Sequence, residues 1–127
     1  MKQGTLLIQL MLALLFTHEL DAMTQSEWRL LYVLHSLSNE DGRGWFVAIH
    51  VPLIALIALT HHANAKVQRI SRISFAMFCI VHALLHWRLA SDPLSTFTSA
   101  MSWSLILGAA ALGAAYLVSV VFYKPRS

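Results

Sequence analysis

Four apolar stretches, each long enough to cross a lipid bilayer, constrain the fold of this chain more than any other feature. A hydrocarbon core about 30 Å thick is crossed by about 20 helical residues. The predicted spans cover residues 4–22, 45–61, 70–87 and 99–122. They lack the alternation of apolar and polar residues that is typical of membrane β-barrel strands. We therefore predict one all-α domain over residues 1–127, an integral membrane four-helix bundle.

The connection between the first two spans contains a shorter apolar segment, residues 28–37. It follows Thr24 and Glu27, whose spacing is typical of a helix capping box. At about 1.5 Å per residue this segment is too short to cross the membrane, so we expect an extra interfacial helix. Residues 39–44 contain two glycines and two carboxylates, which predicts a turn before the second span.

The fourth span carries two local signals. Asp92 followed by Pro93 predicts an N-cap and first-turn proline that open the fourth helix. Within the span, Ala109 and Gly113 have the spacing of small residues that lets two membrane helices approach closely. We therefore expect this helix to pack tightly against a neighbour.

Positive charges divide unevenly between the two sides of the predicted bundle. Three lie on the side of the first and third connections: Arg29, Arg43 and Arg88. Six lie on the side of the chain ends and the second connection: Lys2, Lys66, Arg69, Arg72, Lys124 and Arg126. The positive-inside rule then places both termini in the cytoplasm. The tryptophans fall toward the opposite, outer side, where indole rings favour the headgroup region. The first span alone also resembles a signal-peptide core, so processing after Ala22 stays open as an alternative.

Histidines form the most distinctive chemical pattern, since the chain has seven of them. Counting about 1.5 Å per residue places His18, His50 and His82 roughly 6 to 12 Å below the outer boundary of the hydrocarbon core. His82 and His86 are four residues apart and share one helical face. Imidazole binds zinc, copper and iron, and ionisable groups inside a membrane mark functional sites. The sequence predicts a divalent metal site, zinc or iron, formed by His18, His50, His82 and His86.

Carboxylates beside the histidines suggest a reaction. Glu19 is a candidate ligand or general base, while Glu27 and His35 either support the site from outside or face water. A catalytic zinc usually has three protein ligands. One of the four histidines is therefore expected to support a ligand or to bind a second metal ion. Hydrolysis by metal-activated water is favoured over oxidation. We expect a small metal-dependent membrane enzyme, a hydrolase or an oxidoreductase, acting on a lipid or another apolar substrate in the outer leaflet.

The His82–His86 spacing resembles the HxxxH pair of zinc-dependent membrane hydrolases related to alkaline ceramidases. The number of histidines resembles that of membrane di-iron hydroxylases and desaturases. Those families have more membrane spans, and the repeated histidine boxes of the di-iron enzymes are absent from this sequence. The resemblance therefore implies metal chemistry and no residue roles.

Two other classes of protein stay open. A haem-binding electron carrier would use two facing imidazoles, His50 with His82 or His86. A non-enzymatic protein would be a proton or metal-ion conduit using His50 and His61, which lie nearly on one helical face. It could equally be a subunit of an oligomer or of a larger membrane complex. No basic run is interleaved with aromatic residues, so the lipid bilayer is the expected partner and nucleic acid is not.

Overall fold

Four long helices make up most of the structure. The computed structural model describes residues 2–122, with side chains from residue 4 onward. The helices are α1 (Lys2–Thr24), α2 (Asn39–His61), α3 (Ala65–Leu89) and α4 (Ala100–Phe122). All four are long and apolar enough to cross a membrane, and no strand occurs within residues 2–122. The predicted all-α membrane bundle is confirmed.

Four successive spans give the bundle two different sides. The connections 25–38 and 90–99 lie on one side, which we call the loop side, and Thr96 Oγ1 joins them by donating to the Gln25 carbonyl at 2.7 Å. The α2–α3 turn lies on the other, terminal side. The prediction that this side is cytoplasmic rests partly on Lys2, Lys124 and Arg126, which lie outside the described side chains.

Helix α4 packs closely against its neighbours along most of its length. A Cβ atom added at Gly113 would lie 2.8 Å from the carbonyl oxygen of Ala76 in α3. Ala109 and Ala76 are also buried, so the predicted close approach at Ala109 and Gly113 is confirmed. Lipid is as apolar as the helices, so the hydrophobic effect does not drive helices together in a bilayer. Van der Waals contact between closely packed small residues favours such packing instead.

Helix α2 contacts the rest of the bundle near its two ends and, through His50, near its middle. Gly42 and Phe46 are its buried residues within the described chain, and Gly42 lies against the Trp28 ring. At the terminal side, the hydroxyl oxygens of Thr60 and Ser71 are hydrogen-bonded at 2.9 Å. Most apolar side chains between these contacts are exposed, as expected for a lipid-facing helix.

The start of α2 corrects the prediction of a turn over residues 39–44. The helix begins at Asn39 because the Ser38 hydroxyl caps it, accepting a hydrogen bond from the Asp41 N–H at 3.1 Å. Glu40 and Asp41 in the first turn add favourable charge at the positive end of the helix dipole. The span therefore starts six residues earlier than the predicted residue 45.

Two other local predictions differ from the structure. The interfacial helix over residues 28–37 is not confirmed: a 3-10 helix covers Glu27–Arg29, and turns with bonds such as Leu34 N–H to the Leu31 carbonyl follow. Asp92 and Pro93 lie in a turn, not at the start of α4. Ser99 takes the capping position instead, since its hydroxyl accepts from the Ser102 N–H at 2.9 Å.

Candidate metal centre

Three histidines and one glutamate converge near the loop side of the bundle. His18 comes from α1, His82 and His86 come from α3, and Glu27 comes from the 3-10 helix. Each offers one ligand atom, and these atoms all lie within 4.8 Å of one another. His18 is fully buried, and His86 and Glu27 are each 6% exposed. We call these four residues the histidine–glutamate cluster.

Three of the distances within the cluster are close to those between ligands of one metal ion. The Nε2 atoms of His18 and His82 are 2.9 Å apart. The two Glu27 oxygens divide between the other contacts, Oε2 lying 3.5 Å from His18 Nε2 and Oε1 lying 3.5 Å from His86 Nε2. With zinc–nitrogen bonds of about 2.0–2.1 Å, tetrahedral ligands lie about 3.3 Å apart. The observed separations bracket this value.

Hydrogen bonds leave the cluster incompletely satisfied. Within the described chain, His18 Nδ1 and Glu27 Oε2 are buried without a hydrogen-bond partner, although buried polar atoms are normally paired. Burial raises the pKa of Glu27, but its contacts with His18 and His86 outweigh burial and hold this pKa at about 2. Glu27 is therefore ionised at neutral pH. An ionised carboxylate facing several imidazole nitrogens is an arrangement that a divalent cation would satisfy.

Helix geometry brings the imidazoles together. His82 and His86, four residues apart, present their rings on one face of α3 with centroids 4.6 Å apart. The His18 ring faces both, at 4.9 Å and 5.0 Å. Phe97, from the connection before α4, packs on His18 at 5.6 Å and on His86 at 4.6 Å. This aromatic ring shields the cluster from the loop side.

The backbone at Ser26 positions Glu27. Ser26 adopts left-handed angles, φ 57° and ψ 43°, which residues with a Cβ atom rarely adopt. This conformation separates α1 from the 3-10 helix and turns the chain, so that Glu27 faces the cluster and Trp28 packs into the loop-side core. The carboxylate thus reaches the site from outside the spans.

His50 forms a second polar pair, with Glu19. Its Nδ1 lies 2.6 Å from the Phe46 carbonyl oxygen, and its Nε2 lies 2.8 Å from Glu19 Oε2. A carbonyl only accepts, so Nδ1 carries a hydrogen, and the contact with Glu19 then contains one proton that either group can hold. The two side chains are 20% and 21% exposed. Glu19 also interacts electrostatically with His18 and Glu27.

The structure therefore brings three of the four predicted metal ligands together: His18, His82 and His86. His50 instead contacts Glu19, the predicted base. Both ring nitrogens of His50 are engaged, which does not favour the haem arrangement that pairs it with α3 histidines. Glu27 joins the cluster, whereas the sequence left its role open. The position of Glu27, just after the first span and beside Trp28, was the signal in the sequence for a role in the site. Its spacing from Thr24 favoured a capping role instead.

Other candidate residues lie elsewhere. His35 is exposed, with Nδ1 2.6 Å from the Tyr32 carbonyl. His61 and His62 are exposed on the terminal side, and their rings contact each other at 5.5 Å. Cys79 is buried in the apolar core of the terminal-side half, with Met11 and Ala76. None of these side chains belongs to the cluster formed by the described residues.

Together, the fold and the cluster define a multi-pass membrane protein with a histidine–glutamate group that could hold a metal ion. The chain belongs to DUF6713, a family of unknown function, whose sequence model matches residues 5–123. Comparison of this chain with the curated proteins and with the solved structures finds no match. The description of this family names no activity.

Proposed function

We propose that this protein is a membrane metalloenzyme that holds one divalent cation on His18, His82, His86 and Glu27. The convergence of four ligand atoms from three separate elements, with His18, Glu27 and His86 buried, supports this proposal most strongly. Hydrogen bonding alone leaves Glu27 Oε2 without a partner among the described residues, and a cation in the cluster would pair it. Three imidazoles and one carboxylate suit zinc or iron.

The Glu19–His50 pair supplies an acid–base partner for this cation. A cation held by the cluster would lower the pKa of a bound water to about 7 and so supply a nucleophile for a carbonyl or phosphoryl centre. Glu19 and His50 would accept one proton from that water and return it to the leaving group. Because this proton carrier lies next to the cluster, we favour hydrolysis over oxidation.

The substrate class follows from the position of the site. The cluster lies near the loop-side ends of membrane-spanning helices whose outer surfaces are apolar. A molecule that reaches it sideways must be soluble in the bilayer, so we favour a lipid or another apolar substrate. With the termini in the cytoplasm, as the positive-inside rule favours, that substrate comes from the outer leaflet.

Metal analysis of the purified protein tests the proposal. We expect about one zinc or iron per chain, since a site of this kind binds its metal tightly. Less than about 0.1 metal per chain, unchanged after reconstitution with either metal, contradicts the proposal. An absorption spectrum recorded on the same sample separates the alternatives, because haem gives a strong visible colour and zinc gives none.

Substitution of the α3 ligands assigns the bound metal to the cluster. His82→Ala and His86→Ala should each weaken binding more than about 100-fold, the upper range for losing a residue that only supports a ligand. The double variant should be hardly worse, because ligands of one ion act as a unit. His62→Ala, exposed at the terminal side, is the matched control. Full metal occupancy in both α3 variants, with only stability reduced, shows that these histidines are packing residues.

A further inference from the structure

An apolar groove lies between α1, α2 and α3, on the terminal side of the cluster. Its volume is about 380 Å³, within the range of about 300–1,000 Å³ that is usual for small-molecule sites. Its walls include Leu15 from α1, Leu56 and Ile57 from α2, and Phe75 from α3. Leu56 is 59% exposed, so the groove opens toward the surface that faces lipid.

The groove reaches the level of the site on all three helices. Leu15, Leu53 and Phe78 line it, and each lies three or four residues from a site residue on its own helix: Glu19, His50 and His82. Residues with this spacing are neighbours on one helical face. The Phe78 and His82 rings are also in contact, with centroids 5.4 Å apart. One end of the groove therefore adjoins the acid–base pair and the cluster.

The far end of the groove carries the Thr60 and Ser71 hydroxyls and adjoins a smaller pocket lined by Gln68 and Arg72. The Thr60 and Ser71 hydroxyls there are hydrogen-bonded at 2.9 Å, and Thr60 also contacts the Ile57 carbonyl at 3.0 Å. Along α2, the distance from Leu53 to Thr60 is about 10 Å at 1.5 Å per residue. Apart from these hydroxyls and Ser74, the groove is lined by apolar side chains, and the histidines and carboxylates of the site adjoin its other end.

We propose that the groove binds one acyl chain of a membrane lipid, with the polar linkage at the level of Glu19 and His82. The chain then runs toward the terminal side. The bilayer supplies this ligand at the open face of the groove, and α2 leaves room for it between its contacts at His50 and at Thr60. The inference rests on the proposed function, because it names the substrate class of the same site.

Photolabelling with a phosphatidylcholine that carries a diazirine in one acyl chain tests the groove. The protein is reconstituted in phosphatidylcholine vesicles, irradiated and mapped by mass spectrometry. Labelling should concentrate at Leu56, Ile57 and Phe78 and saturate as the probe fraction rises. Ile57→Trp should lower this saturable labelling about tenfold, because the indole fills the preformed site. Leu107→Trp, on an exposed part of α4, is the matched control and should change nothing.

The position of the diazirine tests the direction of the chain. A diazirine close to the ester should label Leu53 and Phe78, and one at the methyl end should label Val67 and Ile70. The reverse order overturns the proposal, because the lipid headgroup would then lie on the terminal side. Labelling that never saturates and is equal on α4 also overturns it, as does a cross-link that seats a second copy of the chain in the groove.

Metal content, measured on the same samples, separates this inference from the proposed function. Ile57→Trp should retain full metal, which shows that the variant is folded. If the wild-type protein labels saturably but binds no metal, the result supports the lipid groove and contradicts the proposed metalloenzyme. Wild-type protein that binds metal but labels evenly rejects the groove alone.

Discussion

Helices α2 and α4 are both apolar enough to cross a membrane, but the bundle holds them very differently. Their most apolar windows have mean hydropathies of 1.8 and 2.3, yet 6% of the α2 window is buried against 22% of the α4 window. α4 buries a residue at nearly every turn from Ser102 to Tyr116. α2 is buried at Gly42 and Phe46, contacts α1 through His50, and contacts α3 at Thr60. Similar hydropathy therefore corresponds to two roles, one in packing and one in enclosing a site.

The difference also predicts where the bundle opens first. Segments with few buried contacts have low local stability, and Pro52 removes one backbone hydrogen bond from the middle of α2. We expect α2 to move relative to a stable unit formed by the other three helices. Such movement would admit a lipid to the groove while the cluster, which takes no residue from α2, stays assembled.

The largest expected effect concerns the contribution of α2 to chemistry. His50→Ala should lower the rate of lipid hydrolysis at least about 100-fold, the usual minimum for loss of a general acid or base. Its metal content should stay at the wild-type level, because His50 contacts Glu19 and not the cluster. Turnover and bound metal are measured on one preparation. Loss of metal in this variant would return His50 to the ligand set and remove the proposed division between α2 and the other helices.

Next in size is the effect of disturbing α4. Gly113→Ala places a Cβ atom 2.8 Å from the Ala76 carbonyl oxygen, and backbone cannot move aside as a side chain can. Overpacking of this kind costs about 1–3 kcal/mol, so the free energy of unfolding in mixed micelles should fall by that amount. Unchanged stability would show that α4 packs no more tightly than α2.

A smaller effect is expected at the first contact of α2. Gly42→Ala places a Cβ atom 2.9 Å from Trp28 Cδ1, but the indole ring can shift, so we expect a loss of about 1 kcal/mol. Trp28 fluorescence should change with it. Gly44→Ala, where a Cβ atom meets nothing within 4 Å, is the control and should stabilise α2 by about 0.5 kcal/mol. Equal effects at the two glycines would contradict the contact with Trp28.

The smallest effect is expected where α2 contacts α3 through Thr60 and Ser71. Thr60→Val keeps the shape of the side chain but removes the hydroxyl that pairs with Ser71. Hydrogen bonds between membrane helices contribute about 0.6 kcal/mol on average, and a loss of that size is expected in the same unfolding assay. Hydrogen exchange in the last turns of α2 should quicken. A loss above about 2 kcal/mol would mean that Thr60 supports more of α2 than one hydrogen bond can explain.

The helices were predictable because hydropathy is a local property, whereas their ends depend on single hydrogen bonds. The turn over residues 39–44 was predicted from two glycines and two acids. In the structure the Ser38 hydroxyl accepts from the Asp41 N–H and caps a helix, and the same acids are favourable in its first turn. A serine three residues before Asp41 was visible in the sequence. Its effect could be recognised only by weighing capping against turn propensity.

The site was predictable in depth but not in direction around each helix. Residue counting placed His18, His50 and His82 at one level, and the structure joins His18 to His82 while His50 lies against Glu19. Which neighbour a side chain meets depends on helix rotation and packing, which no single span encodes. Glu27 was harder still, because its direction follows from a left-handed residue, Ser26.

The cluster also sets an order of events during synthesis. The contact between His18 and His82 spans 64 residues, so at about 5–20 residues per second the second ligand leaves the ribosome about 3 to 13 seconds after the first. Until α3 enters the membrane, His18 and Glu27 lack the two imidazoles that α3 contributes to the cluster. Any cation must therefore be loaded onto a chain whose third span is already inserted. Supply of such a cation would then act on the finished protein, not on its insertion.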